Sequence, residues 1–271
     1  VTSQFPKAQA IRCLVAVAVF SACASAAFAA HPLITDDTGT QGMGKSQLEV
    51  NGEYGSDRET PAPGIVTVER SIEAAATLSY GVLDSLDAVI GVPHLWVEAR
   101  ETNSTIPDSL HASEKGLSDA SVELKWRFFE CEGLSLAVKP GISVPTGDEH
   151  KGLGAGKYGF STHLIATQEM ERWMFHLNLA YVKNNNRADE RENLYHISLA
   201  TEYSIKESVR IVTNIGQDRN PDRTADSRPV FALAGVIYSI AKDVDIDVGF
   251  KTGITDPETD STVLAGMAFR F

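Results

Sequence analysis

Three histidines, His163, His176 and His196, occupy the polar parity of three neighbouring stretches of alternating sequence. Imidazoles grouped in this way could ligate a metal or relay protons, but they serve equally well as hydrogen-bonding groups in a polar interior. His31, Asp36 and Asp37 form a second group with the donor types of a metal site. They also suit a peptide that lies in, or caps, the mouth of a barrel. Asp243, Asp245 and Asp247 alternate within a strand-like stretch, which points the last two inward together without forming a ligand cage. The run Gly152-Leu153-Gly154-Ala155-Gly156-Lys157 has the glycines of a phosphate loop. However, Lys151 stands where the first glycine is needed and Tyr158 where Ser or Thr is needed, and no strand-to-helix context surrounds it. No serine with a matching His and acid reads as a nucleophilic triad. These residues point to no enzyme and no cofactor.

The elements that must carry these side chains have period two. The clearest stretch is Val122, Leu124, Trp126 and Phe128 alternating with Ser121, Glu123, Lys125 and Arg127. A helix would scatter those residues around its circumference, whereas a strand gives one apolar and one charged face. Twelve such segments can be followed from Leu48 to Phe271, with ten or fourteen left open because the third and tenth are weakly patterned. Short connections, such as Gly81–Ser85 and Glu130–Gly133, alternate with long ones, such as Gly55–Val66 and Ala99–Leu117. The long ones are rich in Gly, Pro, Asn and Asp and need no regular structure. Aromatic residues collect at both ends of the apolar faces. Tyr80, Phe128, Trp173, Tyr203, Tyr238 and Phe271 lie toward the short turns, and Tyr54, Trp96, Tyr158, Tyr181, Tyr195 and Phe250 toward the long loops. Two aromatic belts around an aliphatic band match the two interfaces of a bilayer. Open strand edges are excluded in hydrocarbon, so the sheet must close. The expected fold is an all-β, closed, antiparallel transmembrane barrel of about 12 strands.

The ends divide the 271-residue chain further. Lys7 and Arg12 precede an apolar run from Leu14 to Phe20, and Ala27-Phe28-Ala29 fits a signal peptidase site. Residues 1–29 therefore read as a signal peptide, 30–45 as a periplasmic N-terminal segment and 46–271 as the barrel. Cys23 sits in a loose lipobox whose first position, Phe20, is a poor one. Beyond the leader one cysteine remains, Cys131, so no internal disulfide can hold the fold. A net charge of −12 argues against nucleic acid as a partner. The location expected is a Gram-negative outer membrane, with outer-membrane lipid as a partner.

Four stretches carry a family resemblance: His31-Pro32-Leu33-Ile34-Thr35-Asp36-Asp37-Thr38-Gly39-Thr40-Gln41-Gly42, the turn Gly81–Asp87, Gly116-Leu117-Ser118-Asp119-Ala120-Ser121, and Lys139–Asp148 with its Pro-Thr-Gly-Asp turn. Through them nearly all of the mature chain resembles bacterial outer-membrane proteins described as transporters or as meta-pathway phenol-degradation proteins. The resemblance implies a porin-like outer-membrane barrel that passes small, apolar or aromatic compounds. Likeness to outer-membrane barrels in general implies the barrel-assembly machinery as a partner, reading a last strand that ends in an aromatic residue.

On this reading Glu123, Lys125, Arg127, His176, His196, Asp245, Asp247 and Lys251 are candidates for the lumen lining. Two functions stay open. The inward charges could line a polar passage for transport, or they could form an ion-pair network that plugs the barrel and leaves it a platform for its outer loops.

Overall fold

A computed structural model describes residues 31–62, 64–103 and 109–271; the expected signal peptide, residues 1–29, lies outside them. The strands are β1 (Ser46–Ala62), β2 (Ile65–Leu83), β3 (Leu86–Asn103), β4 (Ser109–Leu117), β5 (Ala120–Cys131), β6 (Leu134–Val144), β7 (Gly159–Met170), β8 (Trp173–Lys183), β9 (Asn193–Lys206), β10 (Val209–Asp218), β11 (Val230–Ala241), β12 (Val244–Gly253) and β13 (Ser261–Arg270). β4 and β5 together make one stave. The outer half of β3 pairs with β4, its inner half pairs with β5, and Ser118–Asp119 interrupt the two. The circuit closes where β1 pairs with β13 from Gln47↔Arg270 to Ser56↔Ser261. The result is a closed antiparallel barrel of twelve staves.

Alternation sorts the side chains. In β8 and β9, the outward residues Leu177 and Leu199 face each other midway between the outward pairs Trp173↔Tyr203 and Tyr181↔Tyr195. Along a strand those pairs are eight residues apart, about 27 Å. Tilted, this gives the height of an apolar band bounded by aromatic girdles. The exposed large apolar residues include Leu124, Trp126, Leu177, Leu199, Val248 and Val263, while Lys125, Asn178 and Ser198 on the opposite parity point inward. A soluble protein hides its apolar face and this chain displays it, which is the arrangement of a wall in lipid.

Two of the six long connections expected to be irregular differ most from that expectation. Gly55–Val66 and Ala99–Leu117 continue the pairing of β1 with β2 and of β3 with β4, so the long strands stand beyond the apolar band. Charged residues stand on both faces there, which erases the apolar alternation. Cross-strand bonding carries these extensions, together with Asp260 of the β12–β13 connection, which accepts from the Arg58 N–H and donates its own N–H to Asp57.

Inside, residues 31–45 run through the lumen from the end bearing the short turns. Gly44 N–H donates to the Gly81 carbonyl, next to the β2–β3 turn. Farther in, Leu33 packs on two small apolar clusters, Val212 with Ile237 and Phe231 with Leu233 and Leu264. The barrel's interior is thus built jointly by the wall and by the segment that precedes β1.

Candidate functional site

The lumen is the candidate site, and its central feature is the way the wall holds this segment. Asn178 on β8 accepts from the Asp36 N–H at 2.9 Å and donates to the Asp36 carbonyl at 2.7 Å. Asn214 on β10 accepts from the Ile34 and Thr35 N–H groups at 2.9 and 3.0 Å and donates to Thr35 Oγ1 at 2.7 Å. Thr167 Oγ1 accepts from Thr38 N–H, Asp87 from Gln41 N–H, and Asp84 from Met43 N–H. Thr38 and Ser135 share a hydrogen bond through their hydroxyls. A buried backbone must find partners for its polar groups. Here strand side chains, rather than another strand's backbone, supply them.

Charge fixes the segment as well. Asp36 lies 2.8 Å from both Lys125 and Lys139, and Lys125 also reaches Asp37 at 3.3 Å. Burial would raise the Asp36 carboxyl, but the two ammonium groups outweigh it and hold the group well below the usual carboxylate range. For Asp37 burial prevails and its carboxyl is pushed up. His31 Nδ1 lies 2.7 Å from Asp247, and its Nε2 is 3.9 Å from Glu53. Burial disfavours the imidazolium, yet these carboxylates win and raise the His31 pKa to about 9. Glycines on three adjacent strands make room for this end. A Cβ on Gly249 would stand 2.7 Å from Pro32 Cβ, and one on Gly266 would stand 2.7 Å from His31 Nδ1. Of His31, Asp36 and Asp37, which could have gathered around a metal, His31 is instead drawn to Asp247 while Asp36 and Asp37 share Lys125. Among the described residues no cluster of three or more His, Cys, Asp or Glu is placed to hold a metal ion.

The lumen-lining candidates separate into five places, one of them the row of His196 with Ser198 and Asp218. Glu123 and Lys125 face a gap of about 260 Å³ between the segment and the wall formed by β1, β2, β3, β5 and β6. Asp245 and Asp247 are engaged in pairs. Arg210 bridges Glu202 at 3.2 Å and Asp245 at 3.1 Å, Arg270 meets Asp245 at 2.8 Å, and Asp247 holds His31. His176 joins that network with Nε2 3.3 Å from Glu202, whose side chain is wholly buried. Arg127 pairs with Glu130 near a short turn, and Lys251 pairs with Glu258 beside an outer loop, so these two stand at opposite ends. The eight candidates therefore do not form one lining.

The structure brings together three residues that spacing alone did not connect. Ser198 Oγ lies 2.8 Å from His196 Nε2, and His196 Nδ1 lies 2.8 Å from Asp218. The order is that of a Ser-His-Asp relay. Ser198, however, is 2 % exposed and takes a hydrogen bond from Thr35 Oγ1 at 2.7 Å, so the row ends on the segment and helps to seat it. The neutral residues Asn178, Asn214, Thr167 and Ser135 carry no charge to single them out in the sequence. Their inward parity was the available signal. The glycine-rich stretch 152–157 forms an outer loop tied by Asp119, which accepts from the Gly147 and Ala155 N–H groups.

Known structures share this architecture. An outer-membrane channel from Pseudomonas putida F1 aligns with a TM-score of 0.62 at 12 % identity, over 84 % of this chain and 96 % of that one. The NanC porin aligns at 0.52 with 11 % identity over 82 % and 98 %. The translocator domain of the autotransporter NalP from Neisseria meningitidis aligns at 0.53 with 9 % identity over 97 % and 95 %. At such identities the likeness is one of fold. No curated protein matches the chain by sequence. The sequence profile described as "Putative MetA-pathway of phenol degradation" matches residues 35–271, and the chain, an outer-membrane β-barrel, belongs to that family.

Proposed function

We propose that the barrel is an outer-membrane channel that passes small solutes one at a time through the gap beside its N-terminal segment. The observation that carries this reading is the one-sided seating of the segment. Its hydrogen bonds and apolar contacts go mainly to β6–β13, and the gap of about 260 Å³ opens toward β1–β6. That volume is below the roughly 300–1,000 Å³ of common ligand pockets, so it suits single small molecules. Compounds of one aromatic ring are the proposed cargo. The size of the gap supports this, as does the family's description, which speaks of phenol degradation. Glu49, Glu123, Asp87, Lys125 and Lys139 edge the gap and give it mixed charge.

Planar-bilayer recordings of the purified barrel should give small, steady steps. Neutralising Glu49 and Glu123 together should shift the reversal potential away from cations, because Lys125 and Lys139 then dominate the local field. A passage for neutral aromatic compounds carries few ions, so uptake of phenol into vesicles is measured alongside. Folded barrel that gives neither steps nor uptake sinks the channel reading. The second reading, a plugged platform acting through its outer loops, would then stand on the Glu202–Arg210–Asp245–Arg270 network that fills one side of the lumen.

A further inference from the structure

The strand extensions beyond the apolar band sort their charges by face. Outward parity continues from the row Tyr54, Ile72 and Trp96. The next row outward contains Arg70 opposite Glu98, and the one after it aligns Arg58, Val68 and Arg100. Lys115 pairs with Trp96 on the same face. The inward parity of the same strands carries Asp57, Glu59, Glu69, Glu101 and Glu114, all acidic. Mixed signs on each face would serve solubility equally well, so the separation calls for different surroundings on the two sides.

The outward face also has a shape. Arg58, Arg70 and Arg100, with Val66, Val68 and Glu98, line a cavity of about 460 Å³. Glu98 is engaged with His111 at 2.9 Å. Among the described residues none of the three guanidinium groups stands within salt-bridge distance of a carboxylate. Each row along a strand face rises by about 7 Å, so Arg70 lies one row and Arg58 and Arg100 two rows above the aromatic belt. That is the depth of lipid headgroups rather than of acyl chains or open solvent.

We infer that this outward cavity binds the phosphate of a phosphorylated lipid in the outer leaflet, with Arg58, Arg70 and Arg100 as its ligands. Guanidinium groups offer paired donors that match phosphate oxygens. Val66 and Val68 give the cavity an apolar floor two and three rows above the aromatic belt, and this placement at headgroup depth favours a lipid over a free anion. The net charge of −12 makes a cationic recess local, not a consequence of overall composition. The assignment is independent of whether the lumen conducts.

The test uses native mass spectrometry of the full barrel in neutral detergent, with diphosphorylated lipid A added at increasing ratios and its dephosphorylated form as the comparison. The wild-type barrel should retain the phosphorylated form preferentially. Arg58→Ala, Arg70→Ala and Arg100→Ala should each weaken retention about fivefold, while Glu69→Gln and Glu101→Gln on the opposite face should not weaken it. Folding of each variant is checked by its heat-modifiable migration. Equal retention of the two lipid forms by the wild type overturns the proposal without any variant. So does undiminished retention by the folded triple alanine variant. Inorganic phosphate that displaces the lipid at equal concentration would show a site for free anions and overturn the lipid assignment.

Discussion

Asn178 and Asn214 treat the segment as a neighbouring strand would, since each engages backbone groups of residues 34–36. Replacing Asn214 by Leu leaves the Ile34 and Thr35 N–H groups without their acceptor inside the barrel. A buried unsatisfied donor costs about 1–3 kcal/mol. The expected outcome is a looser segment, read as a larger and noisier single-channel conductance; an unchanged trace from Asn214→Leu excludes a holding role. His31 adds a pH dependence of definite sign. Its pKa rises from the ordinary 6.5 to about 9, so its contribution is complete below 6.5 and is lost as pH climbs through about 9. Wild-type conductance should therefore increase between about pH 6 and pH 10, and His31→Gln should abolish that increase. A flat wild-type profile rules out control by this histidine. Spacing in the sequence put Lys125, His176 and Asp247 on the inward parity. It could not say that Lys125 would meet Asp36, because 89 residues separate the two and only barrel closure brings them together.

At the scale of strands, the sequence was most readable where the environment differed most between the two faces. From Ser121 to Phe128 lipid lies on one side and a polar lumen on the other, so period two is written in residue type. Above the apolar band both faces carry charge, so the strand extensions around Arg58 and Arg100 show no apolar alternation, and their period two lies in the sign of the charge instead. The gap between β4 and β5 was equally hidden, since it depends on the partner strand: Ser118 N–H bonds the Pro93 carbonyl across the break. The assignment of faces can be tested at the middle of the band. Leu177→Arg should lower the folding free energy in lipid vesicles by about 2–4 kcal/mol, as expected for a cation at the midplane. Arginine at Thr201, closer to the turn-side aromatic pair, should cost less. Equal costs at both depths contradict a lipid-facing band centred on Leu177.

At the scale of the whole barrel, wall and segment act as one interior. Removing residues 31–40 leaves Asn178, Asn214, Lys125 and Lys139 without the partners they now have in that stretch. Water can then fill the space, so the truncated barrel is expected to fold but to conduct several-fold more than the intact one, as measured in planar bilayers. Equal conductance would mean that the segment does not narrow the passage. The bonds that hold the segment divide about evenly between its main chain and its side chains, and the main-chain half runs from Ile34 to Gly44. In binding terms the wall is a receptor for an extended peptide, and the protein carries its own ligand in cis at an effective concentration on the order of millimolar. A synthetic peptide spanning residues 31–42 should thus re-close the truncated barrel when supplied in trans. A version that changes only the side chain at position 41, where Asp87 holds the main-chain N–H, should compete almost as well.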